Sequence, residues 1–361
     1  MPSRPLRRAL AALALLPLAA TACSAEDPPA AEPEPAAADF PPASLEGLRV
    51  LIGNDDSMRG EEADGTDGLG LYALRAALCE AGADVVVFAP WGQQSSMSAA
   101  LSHEGAFGLG TPPDPPREYA DACSDAPSEG AVHGVCVAEG PCRPDSSSAT
   151  PVDALSFALA HGLPEVVGWD GPPDLVVSGV NSGPNVASQI PHSGTVGVAS
   201  TAVASGIPAV ALSASVDEEL VVTPETLAAT AAFGADLIAR MHGADLFDPG
   251  YVVNVNHPAS PDGSPGTDVR WTRAGTGSVL AVDYEAGDGD GEGSFAPVMR
   301  LCEPEAPGCV AETREDADSV ALLAEGAVSV SALTVDRAYA PGEDASRTED
   351  LAALVAALGT A

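Results

Sequence analysis

Residues 48–53, 83–89, 174–178 and 207–213 are short runs dominated by Val, Leu, Ile and Ala. They lack the in–out alternation of a half-exposed strand, so each reads as a strand covered on both faces. Between them lie segments with helical patterning at 69–81, from Thr150 to about 160, at 195–204 and at 224–241. The boundaries carry their own signals. Gly82 stops the first helix, and Pro90 closes the second strand. Thr150-Pro151-Val152-Asp153 supplies an N-cap, a first-position proline and an acid in the first turn. Strands and helices in this order predict an α/β fold with a doubly wound, Rossmann-like, mostly parallel sheet.

Two regions break the pattern. Residues 103–148 are rich in Pro, Gly, Ser and Cys, and read as a loop insertion or a small hairpin. After Gly250 the runs at 251–256, 269–272, 278–283 and 327–335 read as strands, and 346–358 as a terminal helix. The expected division is a leader over 1–22, a tether over 23–46, an α/β core over 47–250 and a β-rich C-terminal region over 251–361.

The leader has Arg4, Arg7 and Arg8 before an apolar run too short to span a membrane as a stable helix. Ala20-Thr21-Ala22-Cys23 is similar to a bacterial lipoprotein box. The expected location is therefore the cell envelope, anchored by lipid on Cys23, with ordinary cleavage and secretion as the alternative. The Ala, Pro and Glu that follow suit an extended tether. Export puts the other six cysteines in an oxidising compartment. Cys302 with Cys309 is the expected pair, and Cys123, Cys136 and Cys142 are expected to supply another. Cys79, in an apolar helical stretch, reads as a buried free thiol. No close Cys/His spacing suggests zinc.

The 15 basic residues are all Arg, against 52 acids, for a net charge of −37. Absence of Lys excludes a P-loop and any Schiff-base mechanism. The acidity argues against polymeric nucleic acid as a partner and leaves small phosphate esters open, given a metal ion to offset their charge. The chemistry should sit at the carboxyl ends of the strands. Asn54-Asp55-Asp56 follows the first strand. Neighbouring carboxylates repel, and a hard cation relieves the conflict. A turn with a helix cap is the plainer reading. The strand at 174–178 runs into Ser178-Gly179-Val180-Asn181-Ser182-Gly183-Pro184-Asn185, and His192-Ser193-Gly194-Thr195 opens a helix whose N–H groups suit an anion. His192 is either a proton donor to a leaving alkoxide or a surface cap. Asp288-Gly289-Asp290-Gly291-Glu292-Gly293 starts like a calcium loop, but Met299 stands where the bidentate Glu belongs. No Gly-x-Ser-x-Gly elbow is present.

Together these residues resemble the SurE family of stationary-phase-survival 5′/3′-nucleotidases. The likeness runs through Gly53-Asn54-Asp55-Asp56-Ser57, Ala89-Pro90, Ser95-Ser96-Met97-Ser98, Thr150-Pro151 with Asp153, and residues 173–181. It continues through Gly183, Asn185, Ser193-Gly194-Thr195-Val196, Asn254-Val255-Asn256 and residues 326–333. The resemblance implies one divalent cation, Mg²⁺ or Mn²⁺, on Asp55, Asp56, Ser95 and Asn181, with Asp55 and Asp56 catalytic. It implies substrate phosphate held by Asn54, Asn185, Ser193, Gly194 and Thr195, and homodimers or homotetramers assembled through the C-terminal region. Departures from the family pattern are Ser57 for Gly, an acidic insertion to Asp67, Gln94 for Arg, Ala99-Ala100 for Asn-Ser, His192 for Tyr and Thr201 for Glu. The expected activity is hydrolysis of nucleoside monophosphates. The alternatives are a broad acid phosphatase, or a silent lipid-anchored binding protein.

Overall fold

The four apolar runs become the middle of one sheet. The computed structural model of the protein describes residues 40–59, 68–112, 115–217, 220–286, 293–302 and 306–336, with Ala353 and Val355. The leader, Cys23, most of the tether, residues 60–67 of the insertion, most of the calcium-like loop and the rest of the terminal helix lie outside the described residues.

The strands are β1 (Arg49–Gly53), β2 (Asp84–Pro90), β3 (Phe107–Gly110), β4 (Val132–Val137), β5 (Ser147–Ser148), β6 (Leu175–Ser182), β7 (Ala209–Ala214), β8 (Val252–His257), β9 (Val269–Thr272), β10 (Leu280–Ala286), β11 (Phe295–Leu301) and β12 (Val328–Leu333). The helices are α1 (Leu69–Glu80), α2 (Pro151–Phe157), α3 (Gly194–Ala204) and α4 (Pro224–Gly243). The main sheet has the order β3-β4-β2-β1-β6-β7-β8-β12-β9, with β5 beside β4. From β4 to β8 all pairings are parallel.

Side chains of β1 alternate between two cores. Val50 and Ile52 pack with Leu71, Leu74 and Leu78 of α1 and Leu227 and Ile238 of α4. Leu51 packs on the other face with Leu155 of α2 and Val198 and Val203 of α3. Each fully buried aliphatic side chain of this kind contributes roughly 1.5–3 kcal/mol. The expected N-cap at Thr150 is present, and Asp153 Oδ2 accepts the Thr150 N–H, which closes a capping box. The helix then continues in wider turns over Ala158–Val167, further than its pattern suggested.

One expectation is overturned: Cys79 is not a free thiol, because α1 delivers it to Cys123; Cys136–Cys142 and Cys302–Cys309 are the other two disulfides. Of the two readings of residues 103–148, the hairpin holds: β3 and β4 pair antiparallel, β5 joins β4, and β4 extends the sheet by pairing with β2. The C-terminal region is β-rich as expected, and part of it joins the main sheet: β8 pairs with β7, β12 and β9 follow, and the β10–β11 ribbon stands apart.

Candidate metal centre between β1 and β6

Strand β1 has β2 on one side and β6 on the other. The chain leaves β1 in one direction and returns in the other, so a crevice opens at the carboxyl ends of β1 and β6. Asn54-Asp55-Asp56 follows β1 at that edge, and Asn181 and Ser182 end β6 there. Between Ser178 and Asn181 the β6–β7 register slips. Such a bulge re-aims the side chains beyond it. Gly179 has φ +134, and a side chain there would strike the Leu212 carbonyl, so the bulge requires glycine.

Asp55 and Asp56 are both buried. The Thr195 hydroxyl donates to Asp55 Oδ1 at 2.6 Å, and the Gly194 N–H to Oδ2 at 3.0 Å. A Cβ on Gly194 would lie 2.7 Å from Asp55 Cβ, which explains the glycine at the helix entry. Asp56 Oδ2 accepts the Ser182 N–H at 2.7 Å, and Oδ1 accepts the Gln93 amide at 3.1 Å. Asn54 ties the two strand ends, donating to the Val180 carbonyl at 3.3 Å and accepting from Thr195 at 3.3 Å. Burial pushes the Asp55 carboxyl above its ordinary pKa, against the pull of the Thr195 hydroxyl and the N–H groups.

A bound cation would offset that burial cost. Among the described residues no group of three or more His, Cys, Asp or Glu could hold one. The available donors are two carboxylates plus the neutral oxygens of Asn and Ser, a set that fits a hard divalent ion. Asn181 lies at this edge, its amide donating to the Gly183 carbonyl at 2.7 Å. Ser95 is exposed on a turn that is fastened twice. The Gln94 N–H donates to the Asp55 carbonyl at 2.8 Å, and the Ser98 N–H to the His192 carbonyl at 3.1 Å.

The residues expected at the phosphate are arranged less simply. Gly194 and Thr195 spend donors on Asp55, so the positive end of α3 already serves one anion. The Ser193 hydroxyl caps α3, accepting the Val196 N–H at 3.0 Å. Asn185 is buried, and its amide donates to Ser213 at 2.9 Å. Its backbone is clamped by Asn254 and Asn256, which donate to its carbonyl at 3.1 and 3.2 Å. His192 is exposed. Ser57 has φ +78, the region that favours glycine, and its hydroxyl accepts the Arg59 N–H at 3.2 Å. Sequence reasoning missed Gln93 as the partner of Asp56; its position directly after β2, at the same sheet edge, was the available signal.

A cleft of about 740 Å³ lies at the opposite end of β1, lined by Glu46, Glu80, Asp121 and Asp125, which would repel a phosphate.

A family model described as survival protein SurE matches residues 50–280. A protein of Burkholderia lata named 5′-nucleotidase SurE 1 is 30% identical over 297 residues, covering 81% of this chain and 92% of that protein. The 5′-nucleotidase SurE of Desulfovibrio desulfuricans is 33% identical over 214 residues, 59% of this chain and 68% of that protein. The crystal structure of the SurE protein from Aquifex aeolicus superposes with a TM-score of 0.53 at 23% identity, covering 80% of this chain and 94% of that one.

Proposed function

The chain belongs to the SurE family, and on that premise we propose that it is a divalent-metal-dependent phosphomonoesterase that hydrolyses nucleoside 5′- or 3′-monophosphates to nucleoside and phosphate. The observation that carries the reading is the pair of adjacent buried carboxylates, Asp55 and Asp56, beside the N-terminus of α3. Relatives named 5′-nucleotidase support the activity. Asp55, Asp56, Asn181 and Ser95 are the proposed holders of Mg²⁺ or Mn²⁺. Such an ion, when bound, lowers the pKa of a water and neutralises charge on phosphoryl oxygens. The protein's own part is positioning. Thr195 and Gly194 fix Asp55, while Ser182 and Gln93 fix Asp56. A phosphoryl group approaching this pair meets the positive end of α3 and the Ser193 hydroxyl. The small, exposed Ala99 and Ala100 favour a second reading, a wider range of phosphate esters.

The test is phosphate release from 5′- and 3′-nucleoside monophosphates and p-nitrophenyl phosphate, with Mn²⁺, Mg²⁺ or EDTA. Release that needs the cation and stops in EDTA is expected. Release indifferent to EDTA removes the metal mechanism; no release from any ester favours a binding protein.

The β10–β11 ribbon supports self-association. Its cross-strand pairs Leu280/Leu301, Val282/Met299, Tyr284/Pro297 and Ala286/Phe295 make one face apolar along its length. Val282, Tyr284, Phe295, Met299 and Leu301 are all more than half exposed. A two-stranded ribbon with such a face gains stability by covering it. We propose a homodimer or homotetramer built on this face. Val282→Asp with Met299→Asp is expected to weaken association at least roughly tenfold, since each buried side chain of this size is worth about 1.5–3 kcal/mol. Light scattering across a dilution series reads the change, and an unchanged mass rules the face out. The three disulfides support work outside the cytoplasm, with lipid on Cys23 as the proposed anchor.

A further inference from the structure

The loop from Gly183 to Ser193 joins β6 to α3, so it connects the two halves of the proposed centre. From the α/β core, Ser213 accepts the Asn185 amide, and Ser98 donates to the Pro191 and His192 carbonyls. A further set of groups comes from the C-terminal third of the chain. Asn256 Oδ1 accepts the Asn185 N–H at 2.7 Å, and the Asn254 and Asn256 amides donate to the Asn185 carbonyl. Ala187 has φ +47, and its N–H points at the carboxylate of Asp318, 3.1 and 3.3 Å from the two oxygens.

Asp318 is fully buried. Its Oδ1 also accepts the N–H groups of Gly275 at 2.9 Å and Ser319 at 2.8 Å. A carboxylate taken out of water is costly unless such donors compensate it. Here every named donor is a backbone N–H, from three separate segments. Ser188 adds a second clasp beside it. Its N–H donates to the Gly277 carbonyl at 3.2 Å, and its hydroxyl accepts the Val279 N–H at 3.1 Å. The 275–278 turn is pinned in turn by Glu312, which accepts from Thr276 at 2.7 Å and Gly277 at 2.9 Å.

We propose that Asp318 is a positioning residue for catalysis: it gathers Ala187, Gly275 and Ser319 so that the 183–193 loop presents Ser193, Gly194 and Thr195 to the Asp55–Asp56 pair. The C-terminal region thus helps to set the substrate-phosphate site, besides any part in self-association. This inference rests on the phosphatase reading given above. Asp318→Asn keeps the shape and can leave one oxygen on the three N–H groups, but it removes the negative charge that they share and puts an amide where Oδ2 faces the Ala187 N–H at 3.3 Å.

The experiment uses the full chain carrying Asp318→Asn and, separately, Ser188→Ala, which removes only the hydroxyl that accepts the Val279 N–H and leaves the buried carboxylate in place. Four quantities are read: KM and kcat for a nucleoside monophosphate, the cation concentration for half-maximal activity, and hydrogen exchange of residues 183–195. Asp318→Asn is expected to raise KM, or lower kcat/KM, roughly tenfold to a hundredfold, the scale on which small displacements of a binding group act. The cation requirement should rise as well, but by less than KM, because Gly194 and Thr195 orient Asp55 while Asp56 and Asn181 are held by β1 and β6. Exchange in 183–195 should speed up while β1 and β2 stay protected. Ser188→Ala should move the same quantities in the same direction by less. A lower melting temperature with unchanged KM and unchanged loop exchange overturns the proposal. Should Asp318→Asn not fold, unchanged KM and loop exchange in Ser188→Ala has the same force. If the wild-type chain releases no phosphate from any ester, the phosphatase reading fails and loop exchange alone decides whether Asp318 orders the loop.

Discussion

Asp56→Asn is expected to reduce turnover by at least roughly a hundredfold, since loss of a proposed direct metal ligand should cost no less than loss of the groups that orient one. The side chain is buried, with one oxygen on the Ser182 N–H and the other on the Gln93 amide. An asparagine can keep one of these contacts; its NH₂ must then face the donor of the other. The substitution also removes one of two adjacent buried carboxylates. Two opposite effects follow. Without added cation, the variant should be as stable as the parent or more so, because a buried like-charge conflict is gone. With Mn²⁺, the parent should gain melting temperature by ligand linkage and the variant should gain little. Turnover and melting curves, each with and without Mn²⁺, check both. Equal turnover in parent and variant would remove Asp56 from the centre.

The second large effect concerns the far end of the sheet. Replacing both Cys79 and Cys123 by Ser is expected to cost about 4 kcal/mol of stability by the chain-entropy relation, because this disulfide closes a 44-residue separation. The same relation gives only about 2 kcal/mol for Cys136–Cys142, whose separation is 6. Against a typical total of about 5–15 kcal/mol, the first loss is large. It should not fall on turnover, since Cys79 and Cys123 line the cleft at the opposite end of β1 from Asp55. Buried Arg75 reinforces the same junction, donating to the carbonyls of Gly130 and Ala122 at 2.6 and 3.0 Å. Chemical denaturation beside kcat at a permissive temperature separates the two. Equal loss of stability and of kcat would mean that the two ends of the sheet are coupled.

What could be read from the sequence follows a physical division. The central strands were legible because burial on both faces forces an apolar run, and Val85 to Phe88 leaves little else to choose. Asp55 and Asp56 were legible because adjacent acids after such a run have few structural uses. Edge strands carry weaker demands. β3 is Phe-Gly-Leu-Gly, and β11 contains Pro297, which a sheet interior excludes but a ribbon tolerates. Cys79 was misread because half of a disulfide on an apolar helix face looks like any small buried residue. Asp318 left no pattern at all. Its partners are backbone N–H groups of Ala187, Gly275 and Ser319, and a backbone donor carries no side-chain signature.

The crevice between β1 and β6 has a consequence for biogenesis. The bond from Ser182 to Asp56 spans 126 residues, and those from Gly194 and Thr195 to Asp55 span 139 and 140. No local hairpin or single helix can therefore assemble the proposed cation site. Closing loops of this length belongs to the later, topology-limited stage of folding. On the proposed reading, a nascent chain has no complete cation site until β6 docks beside β1, so the divalent ion that matters is the one present where that docking occurs.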